Sequence, residues 1–560
     1  MLRSVGRLAR GAQPTGGERL VPIVSGEQPG QLHGNKARPG WLARLSAWRP
    51  KWGRGEDDVA RKVCNLLVVS DMHLGEASKE RSRIEYLKAT GIEDREFCRF
   101  LEHHRTHRLD GQPWQLVFAG DVFDFPAVSL FPNTRLAQER GFSISDEERR
   151  RGLENSEEKI RWKLDRILDR HPAWLTHLAD FVGSGNRVVF IPGNHDAELH
   201  WPGVQQELVR RLVDVYFSDE QVDGISHEDF CARIEFRDWV FFVPDLVYIE
   251  HGHQFDSYCS LLHPLYPRRP GQEELMELSS TGILIRYGLS QVTGVRSHGK
   301  DAYTSVDYLR WLLSMPAVKS GQLSLAYFQA LREQFRYLHR TRRYDLGRLR
   351  DAHLLALVRE AERQRLAPST LAAIDLMRAR PANLSGGSIV SSMFLDSILT
   401  FLLTPLLLLL WLLFAPCRWR GKLAGSTAIL GGAFVLLQLF GARRTTALAP
   451  KLREAARLIA PLVHTPYVVM GHSHLGELLP LPGGALYANS GCWLWAGSSD
   501  TTGDAQGSAP LGYLVLRPQG EVGGPEASLM RWDPREGKPV LMSTDRRSSP
   551  TAPAASLLAK

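Results

Sequence analysis

Cysteine is scarce. The chain has six in 560 residues (Cys64, Cys98, Cys231, Cys259, Cys417 and Cys492), with no paired spacing. That excludes a disulfide framework and a zinc ribbon, and it fits a reducing compartment. Acidic residues are nearly missing from the first 55 positions, which hold ten Lys or Arg against two Glu. Residues 1–58, also rich in Gly and Pro, are expected to form a basic disordered tail. Such a tail suits anionic lipid or nucleic acid. The stretch MLRSVGRLARG has no apolar run, so no secretory signal is expected. Residues 543–560 are mostly Ser, Thr, Pro and Ala and form a second expected disordered tail.

Long apolar runs are also rare. Residues 393–415, MFLDSILTFLLTPLLLLLWLLFA, carry one acid, Asp396, and residues 424–441, AGSTAILGGAFVLLQLFG, carry no charge. A helix needs about 20 apolar residues to cross a bilayer, with a lower limit near 17. The pair reads as a membrane hairpin over about 393–441, joined by a short basic loop, PCRWRGK. A helical hairpin buried inside the protein is the competing reading. Arg378, Arg380, Arg443, Arg444 and Lys451 flank the pair, against Arg418, Arg420 and Lys422 in the loop. This bias predicts a membrane protein whose main domain faces the cytoplasm.

What the sequence does have is a repeated pattern of apolar strands that stop on polar clusters. VCNLLVVS (63–70) ends on DMHLG, and WQLVFAGDVFDF ends on acids. NRVVFIP ends on GNHD. Between them lie REFCRFLEHH and EKIRWKLDRILDRHPAWLTHLADFV, both with helical spacing and the second broken near Pro172. The β–α–β–α–β order predicts a parallel α/β core. Ligands of such sheets sit at the carboxyl ends of strands. RIEFRDWVFFVPDLVYIEHGHQFD supplies a fourth cluster, and TPYVVMGHSH a fifth. GALYANSGCW and GYLVLRP read as further strands. From 261 to 464 the character is helical, with Phe328, Leu331, Phe335 and Leu338 recurring at helical intervals. Ser369 and Thr370 are candidate caps for a helix over LAAIDLMRAR.

The clusters are Asp71-Met-His73, Gly120-Asp121-Val-Phe-Asp124, Gly193-Asn194-His195-Asp196, His251-Gly-His253 and Gly471-His472-Ser-His474. Asp, His and Asn without Cys suit a pair of borderline divalent metals. In this order, DMH, GDVFD, GNHD, HGH and GHSH resemble the motif series of the calcineurin-like metallophosphoesterases. The resemblance covers 62–260 and 465–540, about half the chain. It implies an α/β fold, a two-sheet αββα sandwich, split by a helical insert over 261–464.

The resemblance also implies roles. Asp71, His73 and His474 would hold one metal, and Asn194, His251 and His472 the other, with Asp121 bridging. His195 would face the substrate and Asp196 would orient it. Asp124 would support a histidine, and His253 would stand behind the ligands or touch substrate. The cofactor would be two divalent ions, manganese first, with iron, zinc or nickel as alternatives. The chemistry would be hydrolysis of phosphate ester or diphosphate bonds by metal-activated hydroxide. SDMHLG and HGHQFD are similar to the branch containing UDP-2,3-diacylglucosamine pyrophosphohydrolases, although that branch carries Arg at the His195 position and has no apolar hairpin. A phosphorylated, lipid-linked substrate is therefore the first expectation. A metal-dependent phosphodiesterase or nuclease acting on nucleotides or nucleic acid is the second. A non-catalytic membrane scaffold is the third. Nothing in the residues sets the oligomeric state.

Overall fold

The computed structural model describes residues 64–75, 80–218, 224–288, 317–443, 448–494, 511–520 and 523–542. Both expected disordered tails lie outside the described residues.

The strands in chain order are β1 (Asn65–Val69), β2 (Trp114–Ala119), β3 (Arg187–Ile191), β4 (Ile234–Phe236), β5 (Val240–Val243), β6 (Val247–Glu250), β7 (Arg268–Arg269), β8 (Gln272–Met276), β9 (Tyr467–Met470), β10 (Gly476–Pro480), β11 (Leu486–Ser490), β12 (Gly512–Arg517), β13 (Glu526–Asp533) and β14 (Lys538–Leu541). They form a seven-stranded sheet, β14-β13-β12-β1-β2-β3-β4, and a five-stranded sheet, β10-β11-β9-β6-β5. β1 to β4 run parallel, and so do β6, β9 and β11.

The apolar runs are continuous because both faces of the central strands are covered. Leu66, Val68, Val117, Ala119, Val189 and Ile191 point at Val247, Ile249, Val469 and Ala488 of the other sheet. Their alternates, Leu67, Val69, Leu116, Phe118, Val188 and Phe190, meet Phe97, Phe100, Trp174 and Leu178 from the helices Glu80–Thr106 and Pro172–Gly183. Behind the second sheet, Tyr248, Val468, Met470 and Tyr487 pack on Leu357, Leu371, Leu452 and Ile459 from three helices of the 347–463 region. The layers are therefore helix, sheet, sheet, helix, which fits a metallophosphoesterase sandwich.

Several local expectations need correction. Pro368 takes the first helical position of Pro368–Leu376 and Ala367 the cap, so Ser369 and Thr370 lie inside the helix. The stripe on the helix Ala317–Arg343 is not one buried face. Leu338 is buried, whereas Phe328 and Phe335 are exposed. The basic loop shrinks to residues 415–418, because Trp419 already starts the second long helix, Trp419–Arg443. β7, β8, β10, β13 and β14 had no clear signal. The apolar helices Leu395–Phe414 and Trp419–Arg443 are not core. Ser397 is the one buried residue of the first, and the apolar window of the second has none. They pack on each other where Trp411 Nε1 donates to the Lys422 carbonyl at 3.1 Å. A Cβ at Gly425 would overlap the Trp411 ring, the kind of close approach that small residues permit between apolar helices.

Candidate metal centre

All five clusters lie just past carboxyl ends of strands: Asp71 after β1, Asp121 after β2, Asn194 after β3, His251 after β6 and His472 after β9. The β1–β2 pairing continues beyond the strands. Asp71 N donates to Gly120 O at 3.1 Å, and Met72 N and His73 N both donate to Asp121 O at 2.9 Å. The two sheets are joined here as well, by Ser70 Oγ and Ser490 Oγ at 2.8 Å, and within the second sheet Gly471 N donates to His251 O at 3.1 Å.

Asp71, His73, Asp121, His472 and His474 all have left-handed backbone, with φ of 56°, 50°, 56°, 64° and 57°. Non-glycine residues in that region cost of order 1 kcal/mol each and cluster at functional sites. The motif glycines have separate reasons. Gly120 needs φ of +90°, and a Cβ there would meet the His251 ring at 2.3 Å. At Gly193 a Cβ would lie 2.1 Å from Asp121 Oδ1, and at Gly471 2.6 Å from Ser70 Oγ.

Each carboxylate divides its oxygens. Asp71 Oδ2 accepts from His472 N at 3.0 Å, which turns Oδ1 toward His474 Nε2 at 3.2 Å and His73 Nε2 at 4.0 Å. Asp121 Oδ1 accepts from His195 N at 2.9 Å, so Oδ2 stands between His251 Nε2 at 3.3 Å and His73 Nε2 at 3.9 Å. His73 Nε2 and His474 Nε2 are 3.4 Å apart. His251 Nδ1 donates to Ala119 O at 2.8 Å, which fixes the ring and leaves Nε2 aimed at the Asp121 carboxylate. Burial would lower the His251 pKa, but Asp121 and Asp71 outweigh it and hold it up at about 10. Burial would raise Asp121, and His251 and His195 instead keep it well below the usual range. Imidazole nitrogens and carboxylate oxygens this close share either protons or cations. Asn194 adds an enclosed Oδ1 that has no hydrogen-bond donor. The donor set is Asp, His and Asn, which suits manganese, iron or zinc. The sets Asp71/His73/His474 and Asp121/His251/His472 each bring one ligand atom per residue within 4.8 Å of the others.

The catalytic pair needs correction. His195 Nδ1 meets Asp124 Oδ1 at 2.9 Å. Asp196 lies below, where Gly193 N at 2.6 Å, Val122 N at 2.7 Å, and Asp121 N and Phe123 N at 3.3 Å donate to its carboxylate. Those four donors pull the side chain under the turns, so Asp196 shapes the backbone and Asp124 holds the imidazole. The His195 ring stands edge-on to His73, 4.6 Å between centroids. Burial opposes its charge, yet Asp121 and Asp124 raise its pKa to about 9. His253 is buried behind His251, 5.3 Å between ring centroids, and Gln254 Nε2 is 2.7 Å from its Nε2. It joins none of the metal-capable groups among the described residues. The motifs carry no sign of Asp256 as a neighbour of His472, because that contact joins distant parts of the chain and has no local pattern.

The family model of the calcineurin-like phosphoesterases matches residues 64–314. The chain carries a calcineurin-like phosphoesterase domain. Comparison with curated proteins and with solved structures returned no match. The domain is that of a metal-dependent phosphoric ester hydrolase with a phosphorylated substrate, and its clustered His and Asp residues fit divalent metal binding. The scaffold reading is thereby removed. The family match speaks for the phosphoesterase superfamily and not for any branch within it.

The crowding at Gly193 gives a test. Gly193→Ala is expected to push Asp121 out of place, lowering Mn²⁺ affinity at least tenfold and stability by about 1–3 kcal/mol. Gly91→Ala, with open space around its Cβ, is the control and should leave both unchanged or slightly improve stability. Calorimetric Mn²⁺ titration and thermal unfolding of the two variants read this directly.

Proposed function

We propose that this phosphoesterase is a membrane-associated, dinuclear enzyme that hydrolyses a phosphate ester or diphosphate bond of a lipid-linked substrate. The carrying observation is Asp121 Oδ2, an enclosed oxygen between His251 Nε2 and His73 Nε2. In this reading Asp71, His73 and His474 hold one divalent ion, and Asn194, His251 and His472 the other, with Asp121 shared. Divalent ions held by these residues would lower the pKa of a coordinated water and neutralise phosphoryl charge.

The chain's own groups do the rest. Asp124 orients the His195 ring through Nδ1, and the raised pKa keeps the ring charged at neutral pH. Divalent ions beside Asp121 would offset the carboxylate charge that raises it, which would suit the ring to act as a general acid. His195 gives its proton to the departing oxygen. Asp196 keeps the turns after β2 and β3 in register by collecting their N–H groups. The Ser70–Ser490 contact and the His472 amide on Asp71 hold the sheets close enough for ligands from both to converge.

Two features favour the membrane. The helices Leu395–Phe414 and Trp419–Arg443 expose Leu, Phe and Val along their lengths, and 20 residues at about 1.5 Å each match the hydrocarbon thickness. Beside them, the helix Ala317–Arg343 exposes Leu325, Phe328 and Phe335 among Arg332, Arg336, Arg342 and Arg343. That mixture suits an anionic interface. Tyr327 Oη donates to the Met393 carbonyl at 2.6 Å, tying this helix to the base of the hairpin. The similarity of SDMHLG and HGHQFD to lipid-processing pyrophosphohydrolases points to the same substrate class. The flanking cations favour a catalytic domain on the cytoplasmic side.

Protein purified without chelator should carry close to two metal equivalents, lose activity in EDTA and recover it with Mn²⁺; full turnover in excess chelator overturns the mechanism. His195→Ala should keep both metals and lose about 10²–10⁴-fold in turnover on alkyl phosphates, and much less on p-nitrophenyl phosphate, whose leaving group needs no acid. Metal loss in that variant would mean that His195 is a ligand. Deleting residues 393–441 should abolish co-flotation with liposomes of neutral lipid, where the basic tail and the helix Ala317–Arg343 have no anionic partner, while a C-terminal cytoplasmic reporter on the intact chain stays active. Flotation without the hairpin would remove its anchoring role.

A further inference from the structure

The two histidines assigned above to the second metal are oriented by different partners. His251 is fixed from inside the sandwich by the Ala119 carbonyl. His472 turns its Nε2 to Asp256, whose Oδ2 lies 3.6 Å away. That nitrogen is enclosed by the protein and makes no hydrogen bond. Asp256 is itself buried.

Asp256 belongs to a segment, 252–257, that the helical region grips from both sides of the hairpin. Ahead of the hairpin, Ala379 N donates to Gln254 O at 2.8 Å and Ala382 N to Ser257 O at 2.7 Å. After the hairpin, Lys451 Nζ lies 3.9 Å from Asp256 Oδ1. Next to it, the Leu452 side chain is 3.2 Å from where a Cβ of Gly252 would sit. Lys451 and Leu452 are in the first turns of Leu448–Val463, the helix that follows the apolar pair. One carboxylate thus has a metal-centre imidazole on one oxygen and a hairpin-proximal ammonium on the other.

We propose that Asp256 is a positioning residue for the metal centre, that its charge favours the Nε2–H tautomer of His472, and that Lys451 sets the place of that carboxylate. The Nδ1 lone pair of His472 is then the one presented toward the ion shared with His251. Carboxylates facing the far nitrogen of a ligand imidazole commonly tune the ligand in this way, and their loss costs about 10–100-fold in metal affinity. Asp256, Cys259 and His472 together have the spacing of a further cation site. The Lys451 ammonium argues against that use, since it already supplies the counter-charge and would repel a divalent ion. The inference rests on the reading of His472 as a ligand.

The test uses the full chain in detergent, stripped with chelator and titrated with Mn²⁺ by calorimetry. Wild type binding two ions is the control; failure there would sink the dinuclear reading itself and would be seen before any variant is compared. Asp256→Asn and Asp256→Ala are expected to keep one ion at wild-type affinity and weaken the other 10–100-fold. Asp256→Glu should restore part of the loss. Lys451→Met should weaken the same ion by a smaller factor, and Lys451→Arg should not. Asp256→Asn keeps an Oδ1 acceptor for the Tyr258 N–H and should match wild type in metal-free thermal unfolding, which a merely structural charge pair would not allow, whereas Asp256→Ala also loses that acceptor and is expected to lose some stability. Wild-type affinity for both ions in Asp256→Ala overturns the proposal. So does loss of both ions together with metal-free stability, or a third ion in wild type that Asp256→Asn removes.

Discussion

Two carboxylates carry this site. Asp71 and Asp121 each give one oxygen to a backbone N–H of another ligand turn and keep the other for imidazoles. That division makes the centre a joint between two sheets. The His472 amide reaches across to Asp71, so the turn after β9 is set by the turn after β1. Five left-handed residues are held in place by the same contacts. A single buried carboxylate among three histidines would be an expensive arrangement to desolvate. Two of them, with the imidazoles between, give each charge an opposite partner and define where cations fit.

The sandwich exists to hold those turns still. The central strands are short, three to six residues, and apolar on both faces. Each fully buried Leu, Val or Phe contributes about 1.5–3 kcal/mol. That covers the strain of the ligand turns, of order 1 kcal/mol each, many times over before conformational entropy is counted. Tight packing also explains the glycines, since Gly120, Gly193 and Gly471 are places where a ligand side chain and a neighbouring turn occupy the space a Cβ would need.

Much of this was legible in the sequence, and for physical reasons. The carboxyl-terminal parts of β1, β2 and β3 and the whole of β9 are apolar runs because both faces are covered, and the polar residues that end them are the ones the structure brings together. What stayed hidden depended on direction. GDVFD and GNHD each offer an aspartate near His195, and no spacing rule says that Asp124 points at the ring while Asp196 points beneath the turns. β13 and the edge strand β14 mix apolar and charged residues because one side of each meets water. The helix Trp419–Arg443 begins on Trp, Arg and Lys, a composition that resembles a loop and here starts a helix. The Phe328 and Phe335 spacing is helical whether the face is covered or exposed, so periodicity alone could not tell which.

The position of the apolar pair in the chain has a last consequence. β6 and β9 are parallel neighbours, and parallel neighbours need a connection that crosses the sheet face. The helix Leu448–Val463 makes that crossing, packed on Val468 and Met470. The hairpin is therefore spliced into a connection the sheet requires, with sandwich strands on either side of it in the chain. One proteolytic cut at residues 415–418 would leave each fragment with its own apolar helix and its own strands, still paired in the sheets. Anything that grips the hairpin holds the catalytic domain by two arms, and shedding it would take two cuts.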